Sequence, residues 1–453
     1  MRFRLSEIPA ARVAGGDVEV DGAAIDSRLV RGGELFIPVV AARDGHDFIG
    51  AAVEAGAAAY LTTREPVAAV GAPAAFVPDT AAALADLARL ARSRLPDRVV
   101  GITGSTGKTS TKDLLGAVVR RAGGPAAVSE GSQNNELGLP LTLVNAPAGA
   151  RAAVLEMGAR GPGHIRWLCA IARPTVGVVT NVGLSHTEFL GSLDGVAAAK
   201  GELPESLPRT GTAVLNATDE RVSAMAGRTP AAVLTFGVDD GDVRATAVTV
   251  DDGLRASFTL ESPWGGTPVR LEARGAHQAA NAAAAAAAAL ALGIGLADVA
   301  AGLEEATPSR WRMDVRRSPA GTTVLNDAYN ANPASTEAAL RALSSLAVGG
   351  RRIAVLGPML ELGEASAAEH RRLADVASAA GIEVVAVGTA DYGPAPVAEP
   401  DLDALLAGLG EDDAVLFKAS RAARLEKLAV RLLDDRGPEA TQATQAAAST
   451  GAW

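Results

Sequence analysis

Val99-Val100-Gly101-Ile102-Thr103-Gly104-Ser105-Thr106-Gly107-Lys108-Thr109-Ser110 is a β-branched apolar run that passes through a short glycine-containing loop into a Lys-Thr-Ser start of a helix. Strand, loop and helix in that order make a phosphate cradle, because backbone N–H groups and the positive end of the helix dipole converge on one point. Gly104 and Gly107 let the backbone approach an anion with no Cβ in the way. Lys108 is placed to reach β- and γ-phosphates and the Thr109 hydroxyl to ligate Mg²⁺. The loop departs from the strict pattern G-x-x-x-x-G-K-[ST], since Ile102 stands where its first glycine belongs. The bland alternative is a glycine-rich turn with a surface lysine, which leaves the order of elements unexplained.

The segments around this run alternate between strand-like and helical stretches. Ala152-Ala153-Val154-Leu155-Glu156, Thr175 to Thr180 and Thr212 to Asn216 are continuous apolar runs, as expected of strands covered on both faces. Between about Thr235 and Arg274 the pattern turns to short alternating strands, read as an antiparallel insertion, and Ala276 to Leu292 reads as an alanine-rich helix. Leu95-Pro96-Asp97 is a linker, since the residue before proline is driven out of the helical region. Further runs at Thr322–Asp327, Arg352–Gly357, Val384–Gly388 and Ala414–Lys418 indicate another doubly wound sheet. We therefore expect an α/β chain of three domains: a small α/β domain over 1–96, a central doubly wound, mostly parallel sheet over 97–312, and a Rossmann-like domain over 313–453. The tail from about residue 437 is expected to be disordered.

Bulk properties narrow the classes of function. The 453 residues are 48% hydrophobic and carry a net charge of −10. That charge argues against nucleic acid as a partner. The single cysteine, Cys169, excludes a disulfide framework. No secretion signal is evident, because Glu7 and Pro9 interrupt the N-terminus before an apolar stretch forms. The longest apolar stretch, Ala282 to Leu292, is too short to span a bilayer. A cytoplasmic protein without membrane insertion is expected.

Ligands of open α/β sheets sit at the carboxyl ends of the strands, so polar residues there deserve notice. Glu156 ends one strand; a surface or capping carboxylate is the alternative to a group that holds Mg²⁺. His186 follows Asn181 at the end of the next. Lys200 lies in a small apolar segment, Ala197 to Glu202, where a solvated lysine is the simpler reading of the residues alone. Gly131 to Pro140 is a loop too rich in amides for a simple turn, with Asn134 and Asn135 as its donors and acceptors. Asn326-Asp327-Ala328-Tyr329-Asn330-Ala331-Asn332-Pro333 offers a carboxylate, a ring and amides between a strand and a helix. Asp26-Ser27-Arg28 and Asp44-Gly45-His46-Asp47-Phe48 are similarly dense in polar groups.

Together these segments, spread from Asp26 to Glu426, resemble the Mur ligases, ATP-dependent amide-forming enzymes of peptidoglycan precursor synthesis. The family's phosphate loop reads T-G-x-x-G-K-[ST]-[ST], which accounts for Ile102. Gln133 to Pro140, Glu156-Met157-Gly158, Tyr329 to Pro333 and Leu356 to Gly363 are similar to the branch that joins D-alanyl-D-alanine to UDP-N-acetylmuramoyl-tripeptide. The resemblance implies ATP bound by Gly104, Ser105, Thr106, Gly107, Lys108, Thr109 and Ser110, with His277, Asn281, Arg312, Asp327 and Asn330 around the nucleotide. It implies two Mg²⁺ ions near Thr109, Glu156, His186 and Lys200, the last as a CO₂-derived carbamate. Lys108, Lys200, His186 and Glu156 are the implied catalytic set. Ser27, Arg28, His46, Asp47, Asn134, Asn135, Asn332, Lys418 and Arg421 are the implied substrate contacts. Gln278 and Ala419 depart from the family's segments, as does Ser105-Thr106. A monomer is expected. The alternatives are another Mur-type carboxylate–amine ligase, tripeptide-forming or of the folylpolyglutamate synthetase type, and a non-catalytic homologue acting as a binding protein.

Overall fold

The β-branched run forms the strand Val99–Thr103, buried along its whole length, in the interior of the central sheet. The protein is described here by a computed structural model covering residues 1–65, 71–185 and 187–434. His186 and the tail expected to be disordered lie outside the described residues. Among the described residues the central sheet has nine strands. Their order is Gly265–Arg274, Arg255–Ser262, Val243–Val250, Ala232–Val238, Thr212–Asn216, Val176–Val179, Val99–Thr103, Ala153–Glu156 and Ala127–Val128. The six pairings from Ala127–Val128 through Ala232–Val238 to Val243–Val250 are parallel, and the two pairings made by Arg255–Ser262 are antiparallel. The insertion expected to be antiparallel continues the same sheet, and it is antiparallel only from Arg255 on, since Val243–Val250 pairs parallel to Ala232–Val238. Register places Glu156 opposite Ile102 on one side of the phosphate-loop strand and Val179 opposite Thr103 on the other. Two expected strand-end sites therefore flank the loop directly.

The helix Gln278–Ala291 is buried at twelve positions and packs on the helix Lys108–Gly123 and on the sheet. Alanine combines high helix propensity with a thin side chain, so this helix lies close to its neighbours without a cavity. The N-terminal domain carries a five-stranded sheet, ordered Arg12–Ala14, Ala74–Phe76, Ala59–Thr62, Leu35–Phe36 and Ala23–Ala24. Two side chains fasten it to the central domain. Asn145 pairs both amide atoms with the Ala23 backbone, at 2.8 and 2.9 Å. Arg92, buried, donates to Ala172 O at 2.7 Å and to Asp97 Oδ1 at 2.7 Å.

The C-terminal sheet is ordered Asp314–Arg317, Thr323–Asn326, Ala414–Lys418, Arg352–Leu356 and Glu383–Ala386. Its first strand is an antiparallel edge with no strand-like pattern in the sequence, because three of its four residues are charged and only Val315 is apolar. At the junction before it, Trp311 and Met313 hold φ values of 59° and 51°, left-handed conformations that non-glycine residues seldom adopt. Arg312 sits between them.

Candidate active site

The phosphate loop is shaped by contacts that only glycine permits. Gly104 and Gly107 have φ of 148° and 81°. A Cβ on Gly104 would overlap Thr180 Oγ1, and one on Gly107 would overlap Asn281 Oδ1. The neighbouring strand end braces the loop: Asn181 Oδ1 accepts from Thr106 N at 2.9 Å, and its amide donates to Thr106 Oγ1 at 2.7 Å. Ser105 Oγ donates to Gly183 O and accepts from Gly183 N, both at 2.9 Å. Ser105 and Thr106, which depart from the family's usual pair, are thus used as structural fasteners while the loop amides remain the cradle.

Beyond the loop the Thr109 hydroxyl is the centre of a short line of polar groups. It donates to Glu156 Oε2 at 2.9 Å and accepts from Arg312 Nη2 at 2.9 Å. Glu156 is buried; its other oxygen accepts from Asn134 Nδ2 at 2.8 Å, and its backbone N–H donates to Ser129 Oγ. The Arg312 guanidinium stacks over the Tyr329 ring, 4.2 Å from its centroid, and the Tyr329 hydroxyl reaches Ser132 of the amide-rich loop. Lys108 turns its ammonium back to Gly104 O at 2.6 Å. Burial pushes that ammonium below the ordinary lysine value, Arg312 adds to the effect, and Glu156 opposes it. A hydroxyl and a carboxylate oxygen this close together are the hard oxygen donors that Mg²⁺ takes.

Lys200 is not a solvated lysine. It lies on the helix Leu193–Glu205 with 2% of its surface exposed. Burial, with the Lys108 charge as a smaller contribution, pushes its amine well below the ordinary lysine value. Among the described residues no carboxylate pairs with it. No group of three His, Cys, Asp or Glu side chains forms a metal cluster among the described residues either.

Next to Gly107, Asn281 lies against the loop and donates to Gln278 Oε1 at 2.9 Å. His277 precedes that helix and lines a cleft of about 520 Å³, together with Val250, Leu254, Ala334, Glu337 and Arg341. Asp327 accepts from Met313 N at 3.0 Å and from Lys418 Nζ at 2.5 Å. Asn330 is exposed and gives its carbonyl to Lys418 Nζ at 3.0 Å.

Three family profiles match the chain: the Mur ligase family catalytic domain over 19–92, the Mur ligase middle domain over 102–289, and the Mur ligase glutamate ligase domain over 311–434. A curated relative, the UDP-N-acetylmuramoyl-tripeptide–D-alanyl-D-alanine ligase of Mycobacterium tuberculosis, is 41% identical, with 90% of this chain and 91% of that one covered. The chain belongs to the Mur ligase family. A crystal structure of MurF from Acinetobacter baumannii superposes with a TM-score of 0.83 at 30% identity, over 95% of this chain and 97% of that one. MurF ligase from Thermotoga maritima in complex with ADP gives 0.73 at 30% identity, over 90% and 96%.

Several polar residues of this Mur ligase are spent on its own backbone. Asn135, in the turn before the helix Gly138–Val144, accepts from Gly138 N at 2.9 Å. Asn332 caps the helix Pro333–Ser345 and reaches Ser105 O with its amide at 3.5 Å. His46 is buried; Nδ1 donates to Asp44 at 2.7 Å and Nε2 accepts from Thr63 N. Arg28 is turned onto Asp26, which it grips through Nε and Nη2 at 2.6 to 3.1 Å. Lys418 is buried with its hydrogens directed to Asp327 Oδ2, Asp327 O and Asn330 O, an internal knot rather than a free cation. Arg421 stacks on Trp311, 4.6 Å from the ring centroid, and pairs with Glu426. Ser27, Asp47 and Ser110 remain on or near the surface. Ser129, Gln278 and Ser132 also take part: Ser129, just past the short edge strand Ala127–Val128, accepts from Glu156 N, Gln278 accepts from Asn281, and Ser132 meets the Tyr329 hydroxyl.

Proposed function

We infer that this Mur ligase is the ATP-dependent enzyme that joins D-alanyl-D-alanine to UDP-N-acetylmuramoyl-tripeptide in peptidoglycan precursor synthesis. The observation that carries the reading is the line Glu156–Thr109–Arg312, drawn from a strand end, the phosphate-loop helix and the domain junction. It stands where a terminal phosphate leaves the loop, and the profiles and the relative supply the reaction class.

A carboxylate accepts an amine only once it carries a leaving group. The substrate carboxylate attacks the γ-phosphorus of ATP, the bond to the β–γ bridging oxygen breaks, and ADP leaves. The dipeptide amine then attacks the acyl phosphate carbon, loses its proton, and inorganic phosphate departs. Lys108 and Arg312 supply fixed positive charge to the transferring phosphoryl group. Thr109 and Glu156 would hold Mg²⁺, which neutralises phosphate charge. We propose that Lys200, buried and without a counter-ion among the described residues, reacts with CO₂ to give a carbamate. That changes a nitrogen donor unsuited to Mg²⁺ into an anionic oxygen donor suited to it. His186 is proposed beside it.

The cleft at His277 fits a nucleotide base. We propose that residues 1–96 receive the UDP-sugar, 97–312 the ATP and 313–453 the incoming dipeptide. Asn134, Asn281, Asp327, Asn330 and Arg28 are kept as proposed contacts, whereas Asn135, Asn332, His46 and Lys418 are proposed to act by holding local structure. We propose that it acts as a monomer, and no described helix is long and apolar enough to cross a membrane. A cytoplasmic location follows from the need for ATP. The test is ADP release from ATP and UDP-N-acetylmuramoyl-tripeptide, with and without D-alanyl-D-alanine. Release that does not depend on the dipeptide overturns the reading.

A further inference from the structure

The chain between the phosphate loop and the helix of Lys200 touches two domains within ten residues. At one end Asn181 and Gly183 fasten Thr106 and Ser105. Val182 N–H is anchored to Asp219 Oδ2 at 2.7 Å, so this end is fixed to the central domain. At the other end Thr187 Oγ1 donates to Leu362 O at 3.1 Å, and Glu188 N–H donates to Glu361 O at 3.2 Å. Leu184, between them, packs against the core of the C-terminal domain.

The receiving loop is built to be rigid. His370 Nε2 accepts from Met359 N at 3.0 Å while its Nδ1 donates to Ser366 O at 2.7 Å. Ser420 Oγ accepts from Leu360 N at 2.9 Å, and the Tyr392 hydroxyl donates to Gly357 O at 3.1 Å. Glu361 holds a left-handed φ of 64°, which turns its carbonyl toward Glu188. This is the segment Leu356 to Gly363, prominent in the sequence and otherwise without a task in the phosphate site.

We propose that residues 181–185 and 187–190 form a strap through which docking of the C-terminal domain sets the phosphate loop, with Thr187 as its positioning residue. The proposal rests on the ligase reading above. The C-terminal domain brings the amine, so a strap of this kind makes phosphoryl transfer efficient only when the amine-bearing domain is seated. Uncoupled ATP hydrolysis is thereby suppressed.

The experiment compares the full-length wild type with Thr187→Val, which keeps shape and loses the hydroxyl, and Thr187→Ser, which keeps the hydroxyl. Loss of one neutral hydrogen bond in the docked state lowers kcat about fivefold for Thr187→Val. The KM for ATP and the Tm stay at wild-type values, and Thr187→Ser restores most of the rate. The proposal is overturned if Thr187→Val turns over like wild type, if its loss is accompanied by a matching fall in Tm, or if Thr187→Ser is no better. A wild type without dipeptide-dependent ADP release would instead overturn the ligase reading itself.

Discussion

Arg312 Nη2 donates to the Thr109 hydroxyl at 2.9 Å, which ties the junction of the central and C-terminal domains to the first turn of the phosphate-loop helix. Two strained residues, Trp311 and Met313, hold the arginine there, and Tyr329 stacks beneath it. Lysine at this position keeps the charge but loses the planar fork and the stack. Arg312→Lys is expected to lower kcat about 10²-fold, the usual cost of losing one aligned donor at a developing charge. Steady-state ADP release measures it, and a turnover near wild type would remove Arg312 from the phosphoryl site.

Gly107→Ala probes the loop itself. The residue would need a left-handed backbone, and its Cβ would press on Asn281 Oδ1. Strain of about 1–3 kcal/mol is expected, read as a Tm lowered by a few degrees and as weakened ADP binding by calorimetry. Full ADP affinity in this variant would show that the loop adapts and that Asn281 does not limit it.

The phosphate loop was legible in the sequence because its function is local: strand, loop and helix are consecutive, and glycine marks the turns. Glu156 and Asn181 were legible because parallel strands deliver their carboxyl ends to one edge. Lys200 was misread on residues alone, since four small neighbours do not reveal that its helix face is buried. For Asn135, Asn332 and His46 the sequence shows only an amide or imidazole, the same chemical types whether they hold local structure or bind a ligand; their partners Gly138 N, Ser335 N and Asp44 are visible only in three dimensions. Asn145 and Arg92, which join the first two domains, carry no sequence signal, because their partners are backbone atoms far along the chain.

Asp327→Asn should destabilise the C-terminal domain. Lys418 is buried, burial already pushes its ammonium down, and Asp327 is the opposite charge that keeps it up. Leaving that ammonium without its counter-ion costs about 3–5 kcal/mol, and Lys418→Met in the same chain recovers much of it. Denaturant unfolding monitored for the single and double variants checks this. Equal stability of Asp327→Asn and wild type would mean that Lys418 is deprotonated in the folded protein.

Acid should loosen the N-terminal domain through Asp26. Hydrogen bonds from Arg28 hold its carboxyl below the ordinary carboxylate value. A depressed folded value means that the stabilisation is present above the unfolded pKa of about 3.9 and is lost as pH falls through the folded one. Asp26→Asn removes that dependence, so its melting temperature is expected to change less than that of wild type below about pH 4. Parallel acid dependences in the two proteins would show that the pair contributes nothing.

Lys200 decides whether the site has the anionic ligand that the ligase chemistry calls for. Its amine is buried, no described carboxylate balances it, and its ordinary value is pushed well down, so the unprotonated nucleophile persists at pH values where an exposed lysine is charged. That is the form that adds to CO₂, and acidification, by protonating the amine, is expected to lower both carbamate and activity together. Protein equilibrated with ¹³C-bicarbonate should show a carbamate carbon resonance that is absent from Lys200→Ala. Lys200→Ala should lose at least about 10²-fold in kcat, and short carboxylates such as acetate should restore part of it by returning an anionic oxygen to the vacated space. Near wild-type turnover of Lys200→Ala in CO₂-depleted buffer would show that the buried amine is a structural feature of the helix and that the phosphoryl site works without it.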